Sequence, residues 1–126
     1  MTRSTVIADL ENDLIQVDCL EILATPEAQE RFSRDSYDYS PVLRQQLEGC
    51  QSELVVRPFT VEAVVAVAAS CSRYGVPLTL RGSGTGNYGQ CVPLRGGVVM
   101  LMGALRKIRH LDPATGVVTV ETGCLL

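Results

Sequence analysis

The sequence contains one histidine, His110, and no Cys-x-x-Cys pair. A lone histidine cannot build a His-rich metal centre, and closely spaced cysteine pairs are what zinc knuckles require. The five cysteines, Cys19, Cys50, Cys71, Cys91 and Cys124, are odd in number and widely spaced, which argues against a disulfide framework. Arginine and lysine are scattered, with no basic block interleaved with aromatics, so nucleic acid is not an expected partner. No apolar run approaches the length of a membrane span. Asp9, Glu11 and Asp13 interrupt the N-terminal segment where a secretory signal would need an apolar stretch. A cytoplasmic location without membrane association is the resulting expectation.

What is present suits one small globular domain. The chain has 126 residues, of which 46% are apolar and 20% charged, a balance that favours a packed core over disorder. The end, Cys124-Leu125-Leu126, carries no polar tail, and this reads as a segment of a longer protein.

The organising stretch is Arg81-Gly82-Ser83-Gly84-Thr85-Gly86-Asn87-Tyr88-Gly89-Gln90. Its glycines permit positive φ and close approach of the backbone to a bound group. Successive N–H groups in such a turn form a concave anion site, with the Ser83 and Thr85 hydroxyls as further donors. Upstream, Leu54 to Arg57 reads as a strand bounded by Pro58. Thr60 caps a helix over residues 61–72, with Val61, Val64, Val65, Ala68 and Cys71 as its buried face and Gly75 as its stop. Val76 to Leu80 is the next strand. This strand-helix-strand unit places both Arg57-Pro58 and Arg81-Gly82 at strand carboxyl ends, where open α/β sheets bind ligands. Residues 98–121 read as an antiparallel meander with a turn at Asp112 to Gly116.

The N-terminal part is less regular. Ile7, Leu10, Leu14, Val17, Leu20 and Leu23 recur at helical spacing over residues 6–23. Thr25 and Pro26 start a short helix that fades by Asp35. Residues 36–41, with Tyr37 and Tyr39, form a loop before a weak helix over 42–47. The division expected is a helical lead-in, residues 1–52, and a ligand-binding part, residues 53–126.

The loop lacks the lysine of an ATP- or GTP-binding P-loop. It also follows the second strand and opens no helix, unlike the ordinary dinucleotide fingerprint. From the residues alone, two readings stand: a phosphate cradle, or a non-catalytic small domain using the glycines structurally, for a partner or for another phosphate ligand.

Residues 54–123 resemble the first part of the FAD-binding domain of the vanillyl-alcohol oxidase and para-cresol methylhydroxylase (PCMH) type. The resemblance rests on Val55-Val56-Arg57-Pro58, the helix over 61–71, Val76 to Gly86, Gly96-Gly97-Val98-Val99, Ile108 with Asp112, and Val118 to Gly123 in that order. It is strongest to the FAD-linked oxidases that include glycolate oxidase subunits, D-lactate dehydrogenases and D-2-hydroxyglutarate dehydrogenases. The resemblance implies an α+β fold, the N-terminal subdomain of a PCMH-type domain, incomplete at this length: a parallel strand-helix-strand unit followed by a small strand meander. It implies FAD held by Gly82, Ser83, Gly84, Thr85 and Gly86 through its pyrophosphate, with Arg81, Asn87 and Gln90 nearby and Pro58 on the adenine side. Some relatives carry a flavin-linking histidine where Thr85 stands, so noncovalent FAD is implied. Cys91, beside the loop, is expected to pack, and His110 to be structural or exposed. The parent protein is then a flavin-dependent oxidoreductase acting on a small-molecule 2-hydroxy acid or similar CH–OH substrate. The 126 residues alone would carry half a cofactor site and little activity, catalytic groups lie outside them, and homo-oligomerisation is left open.

Overall fold

The computed structural model describes residues 2–125. Met1, and Leu126 at the end of the apolar C-terminal run, lie outside the described residues.

Helix α1 (Arg3–Leu14) starts at Thr2, whose side chain accepts from the Thr5 N–H, and its inner face buries Leu10 and Leu14 completely. The helix ends there, although the apolar spacing runs on to Leu23. Gln16 N–H and Val17 N–H turn back to the Asp13 and Leu14 carbonyls, and Cys19 adopts a left-handed φ of 56°. Leu20 and Leu23, expected on the helix, instead lie in strand β1 (Leu20–Leu23), antiparallel to β2 (Leu54–Pro58). A helical period in the sequence is overridden here by pairing to a sheet edge, which satisfies the strand's backbone groups.

Two short helices follow, each with proline in its first turn: α2 (Pro26–Phe32), capped by Thr25, and α3 (Pro41–Leu47), capped by Ser40. Helix α4 (Val61–Tyr74) has its first turn closed by the Thr60 side chain, which accepts from the Ala63 N–H at 3.2 Å. Gly75 ends it at φ 63°. Its buried face is Ala63, Val67, Ser70 and Cys71, whereas Val61 and Val65 face solvent. Of the expected stripe, Cys71 and the part-buried Val64 reach the core, and Val61, Val65 and Ala68 do not. With valine and alanine on every side of the helix, hydrophobicity alone does not mark the inner face.

Strands β3 (Leu78–Arg81) and β4 (Val98–Leu101) complete a sheet of order β1-β2-β4-β3, in which β4 pairs in parallel with both β2 and β3. The meander expected over residues 98–121 is thus corrected at its start, since β4 is the inner strand of the parallel sheet. All four β4 residues are buried, and both faces of the strand are covered. Val98 and Met100 pack with Leu10, Leu14, Leu54, Val56, Val67 and Cys71. Val99 and Leu101 pack on the other face with Val55, Leu23 and Phe32. The lead-in thereby supplies core to both faces. Gly97, at φ 80°, lets β4 pass so close to β3 that a Cβ would lie 2.1 Å from the Pro77 carbonyl oxygen.

After a 3₁₀ turn (Met102–Ala104), β5 (Ile108–Asp112) and β6 (Val117–Val120) form a separate two-stranded antiparallel hairpin. The Asp112 carboxylate organises its turn, accepting from the Ala114 N–H at 2.9 Å and the Thr115 hydroxyl at 2.7 Å. Among the described residues, no helix is long and apolar enough to cross a membrane.

Candidate cofactor site

Strands β2, β4 and β3 run in the same direction, so their carboxyl ends open on one edge of the sheet. A groove of about 800 Å³ lies there. β2 delivers Arg57 and then Phe59, β3 delivers Arg81 and leads into Gly82 and Ser83, and the turn after β4 delivers Arg106. Arg31 and Arg34, at the end of α2, form the facing wall. Five arginines thus line one groove of a chain whose net charge is −3. The one carboxylate among the lining residues is Asp35.

Several of these cations are held in place by the fold. Arg57 pairs with Glu21 on β1 at 2.7 Å. Arg81 is only 6% exposed; its guanidinium donates to the Arg34 carbonyl oxygen at 2.6 Å and stands 5.8 Å from the centre of the Phe32 ring. Among the described residues, no carboxylate forms an ion pair with Arg31, Arg81 or Arg106. With five guanidinium groups against the one carboxylate of Asp35, the lining of the groove is predominantly cationic.

The glycine loop supplies a second set of donors. Gly84 takes φ 69° and Gly89 φ 82°. The N–H groups of Gly82, Ser83, Gly84, Thr85, Gly86 and Asn87 make no hydrogen bond to any described residue. A Cβ on Gly82 would meet nothing within 4 Å, so this part of the loop is open to a ligand. Unpaired backbone donors beside guanidinium groups are the chemistry that a diphosphate requires, and the residues present therefore fit the pyrophosphate of FAD.

The residues singled out in the sequence are placed unequally. Arg81, Gly82 and Ser83 line the groove; Gly84 is buried, Thr85 and Asn87 are exposed, and none of these three is among the groove-lining residues. Gly86 is half-buried against the Gln90 side chain, whose Oε1 accepts the Tyr88 N–H at 3.1 Å. Gln90, an exposed residue, thereby closes the loop's return arm locally. Pro58 is fully buried, and the exposed ring at that strand end is Phe59. Cys91 and His110 are not among the groove-lining residues, and His110 lies on the exposed β5.

Sequence reasoning missed Arg31, Arg34, Asp35, Phe59 and Arg106. Arg57 carried a signal, its position at a strand end, but α2 and the turn after β4 carried none. A second cavity, of about 660 Å³, lies between Asp35 and α3 and includes no residue from Arg81 to Gln90. At its edge the Tyr39 hydroxyl accepts the Asp35 N–H at 2.7 Å. Burial holds that phenol above its ordinary range; the Asp35 N–H opposes the shift and the Asp35 carboxylate reinforces it.

Known proteins resemble this chain in sequence and in fold. Glycolate oxidase subunit GlcD of Escherichia coli K12 is 39% identical over 70 residues, covering 56% of this chain and 14% of that protein. D-lactate dehydrogenase of Anaerostipes hadrus is 34% identical over 74 residues, covering 59% of this chain and 16% of that protein. The chain thus spans a small fraction of the length of these relatives. The solved structure of p-cresol methylhydroxylase with substrate bound superposes with a TM-score of 0.71 over 98% of this chain and 23% of that one, at 18% identity, which shows a shared fold. The FAD binding domain family matches residues 52–126, the stretch that holds the parallel strands and the glycine loop, and this chain belongs to that family.

Proposed function

We propose that this chain forms the pyrophosphate-holding part of a noncovalent FAD site in a flavin-dependent oxidoreductase whose substrate is a small 2-hydroxy acid. The observation that carries the reading is that five arginines line one groove at the carboxyl ends of three parallel strands together with Gly82 and Ser83, the start of a run of unpaired N–H groups that extends to Asn87. The 2-hydroxy acid is supported by the relatives' names, glycolate oxidase and D-lactate dehydrogenase.

When bound, FAD supplies the redox chemistry; the protein binds and orients it. In this chain Gly82, Ser83, Gly84, Thr85 and Gly86 offer their N–H groups to the pyrophosphate, and Asn87 lies at the end of that run. Arg81 provides a buried positive charge beneath, and Arg57 and Arg106 flank the groove at the ends of neighbouring elements. Pro58 sets the strand end on the adenine side and exposes Phe59, a flat apolar surface for a planar ring. Gln90 keeps the loop's return arm folded. Noncovalent attachment is supported by Thr85 at the loop position and by His110 lying outside the groove.

Residues 53–126 carry the cofactor-binding role in this reading, and residues 1–52 form the lead-in. Five unpaired, widely spaced cysteines support a cytoplasmic location.

The test is purification of the protein with added FAD, followed by acid precipitation. A yellow protein that releases all its flavin into the supernatant is the expected result. Retention of flavin in the pellet would overturn the noncovalent assignment. Absence of FAD binding at low ionic strength, where arginine–phosphate attraction is strongest, would overturn the site itself.

A further inference from the structure

Three consecutive residues of the lead-in grip the glycine loop at three points. The Arg34 carbonyl oxygen accepts from the Arg81 guanidinium at 2.6 Å, where the loop begins. The Ser36 N–H donates to the Gly84 carbonyl oxygen at 2.8 Å, in its middle. Asp35 Oδ2 accepts the Gly89 N–H at 3.0 Å, on its return arm. All three lead-in residues precede residue 52, where the family match begins.

Asp35 is the least expected of the three. It is 9% exposed in the wall of an arginine-lined groove, and its Oδ1 is buried without a hydrogen-bond partner among the described residues. Burying a carboxylate with one oxygen unpaired is costly. Its position directly under the loop gives that cost a purpose. A Cβ on Gly86 would lie 3.5 Å from Oδ2, so the carboxylate that holds Gly89 also lies close beside Gly86. By taking the Gly89 N–H inward, it anchors the return arm while the N–H groups of residues 82–87 stay unpaired. The segment is itself anchored. The Ser33 hydroxyl accepts the Ser52 N–H at 2.8 Å, and Gln29 donates to the Glu53 carbonyl oxygen at 2.9 Å, tying α2 to the start of β2.

We propose that Asp35 is a positioning residue for the cofactor: with Arg34 and Ser36 it clamps the glycine loop in the shape that presents its N–H groups to a diphosphate. The inference rests on the FAD-site reading above. It makes the lead-in a working part of the site, since loss of the clamp would require the ligand to order the loop on binding.

The experiment uses the native protein, with residue-resolved amide exchange and FAD titration on wild type, Asp35→Ala and Asp35→Asn. In wild type without FAD, the Gly89 N–H exchanges slowly and those of residues 82–87 exchange fast, becoming protected when FAD is added. Asp35→Ala loses the Gly89 protection and binds FAD about tenfold more weakly, the loss of one charge-assisted hydrogen bond. Asp35→Asn keeps an acceptor oxygen and restores affinity to within about threefold of wild type, a rescue that a general packing role would not give. A folded Asp35→Ala with wild-type FAD affinity overturns the proposal. So does a Gly89 N–H that exchanges as fast as Gly86 in the wild type, a result available even where Asp35→Ala fails to fold. Wild type that binds no FAD defeats the cofactor reading instead, and Gly89 exchange still decides whether the clamp exists.

Discussion

The guanidinium of Arg81 occupies the space that a side chain on Gly84 would need: a Cβ there would lie 2.0 Å from Arg81 Nη2 and 2.4 Å from Cζ. The arginine cannot easily withdraw, because it is buried and bonded to the Arg34 carbonyl oxygen. Gly84→Ala therefore meets two penalties, a left-handed φ of 69° and a displaced cation. We expect a loss of about 2 kcal/mol of stability together with weakened FAD binding. Chemical denaturation and FAD titration of the variant check both.

Gly82→Ala separates binding from folding. No protein atom lies within 4 Å of the added methyl, and Gly82 lines the groove. Stability should change by no more than about 0.5 kcal/mol, while FAD affinity falls because the methyl occupies ligand space. An unchanged affinity would place the pyrophosphate elsewhere.

Acid sensitivity should trace in part to Glu53. Its carboxylate accepts from Arg3 at 2.6 Å and from the Gly97 N–H at 2.7 Å, joining α1 to the turn before β4. The Arg3 hydrogen bond, partly opposed by burial and assisted by the Gly97 N–H, holds the carboxyl below its ordinary range. A depressed folded value means that the unfolded chain binds the proton more readily. The stabilisation is therefore present above the unfolded value of about 4.3 and is lost as pH falls through the folded value below it. Thermal midpoints taken from pH 7 to pH 3 should fall more steeply for wild type than for Glu53→Gln.

Thiol reactivity should divide the cysteines by burial. Cys71, on the buried face of α4, has its thiol pushed up to about 11 by desolvation, so almost no thiolate is present at neutral pH. Cys19 is exposed. With a chromogenic disulfide reagent, Cys19 should be modified in the native protein and Cys71 only when the core opens. Mass spectrometry of labelled peptides reads the outcome directly.

Local signals were legible wherever a residue's role depends on its immediate neighbours. Thr25 and Thr60 cap helices because their side chains reach N–H groups three residues on. Gly75 ends α4 because its φ is left-handed. The loop from Arg81 to Gln90 stood out by composition and by its position after a strand. The inner face of α4 was not legible, because Val61, Val65 and Ala68 are as apolar as the residues that are buried. Nor was the strand identity of Leu20 and Leu23, whose spacing fits either element until β2 offers an edge.

Local signals in the sequence mark a glycine-rich loop at the end of a strand, set in the ordered motifs of an FAD-binding domain. Chain direction and φ requirements are local properties, and residues encode them locally. What surrounds that loop is set by long-range packing. β4 slots between β2 and β3, bringing Arg57, Arg81 and Arg106 to one edge. The lead-in folds back so that Arg34, Asp35 and Ser36 meet residues roughly fifty positions away. Such contacts depend on burial of Leu10, Leu14 and Phe32 against opposite faces of the sheet, a long-range packing event that no single stretch of the sequence records.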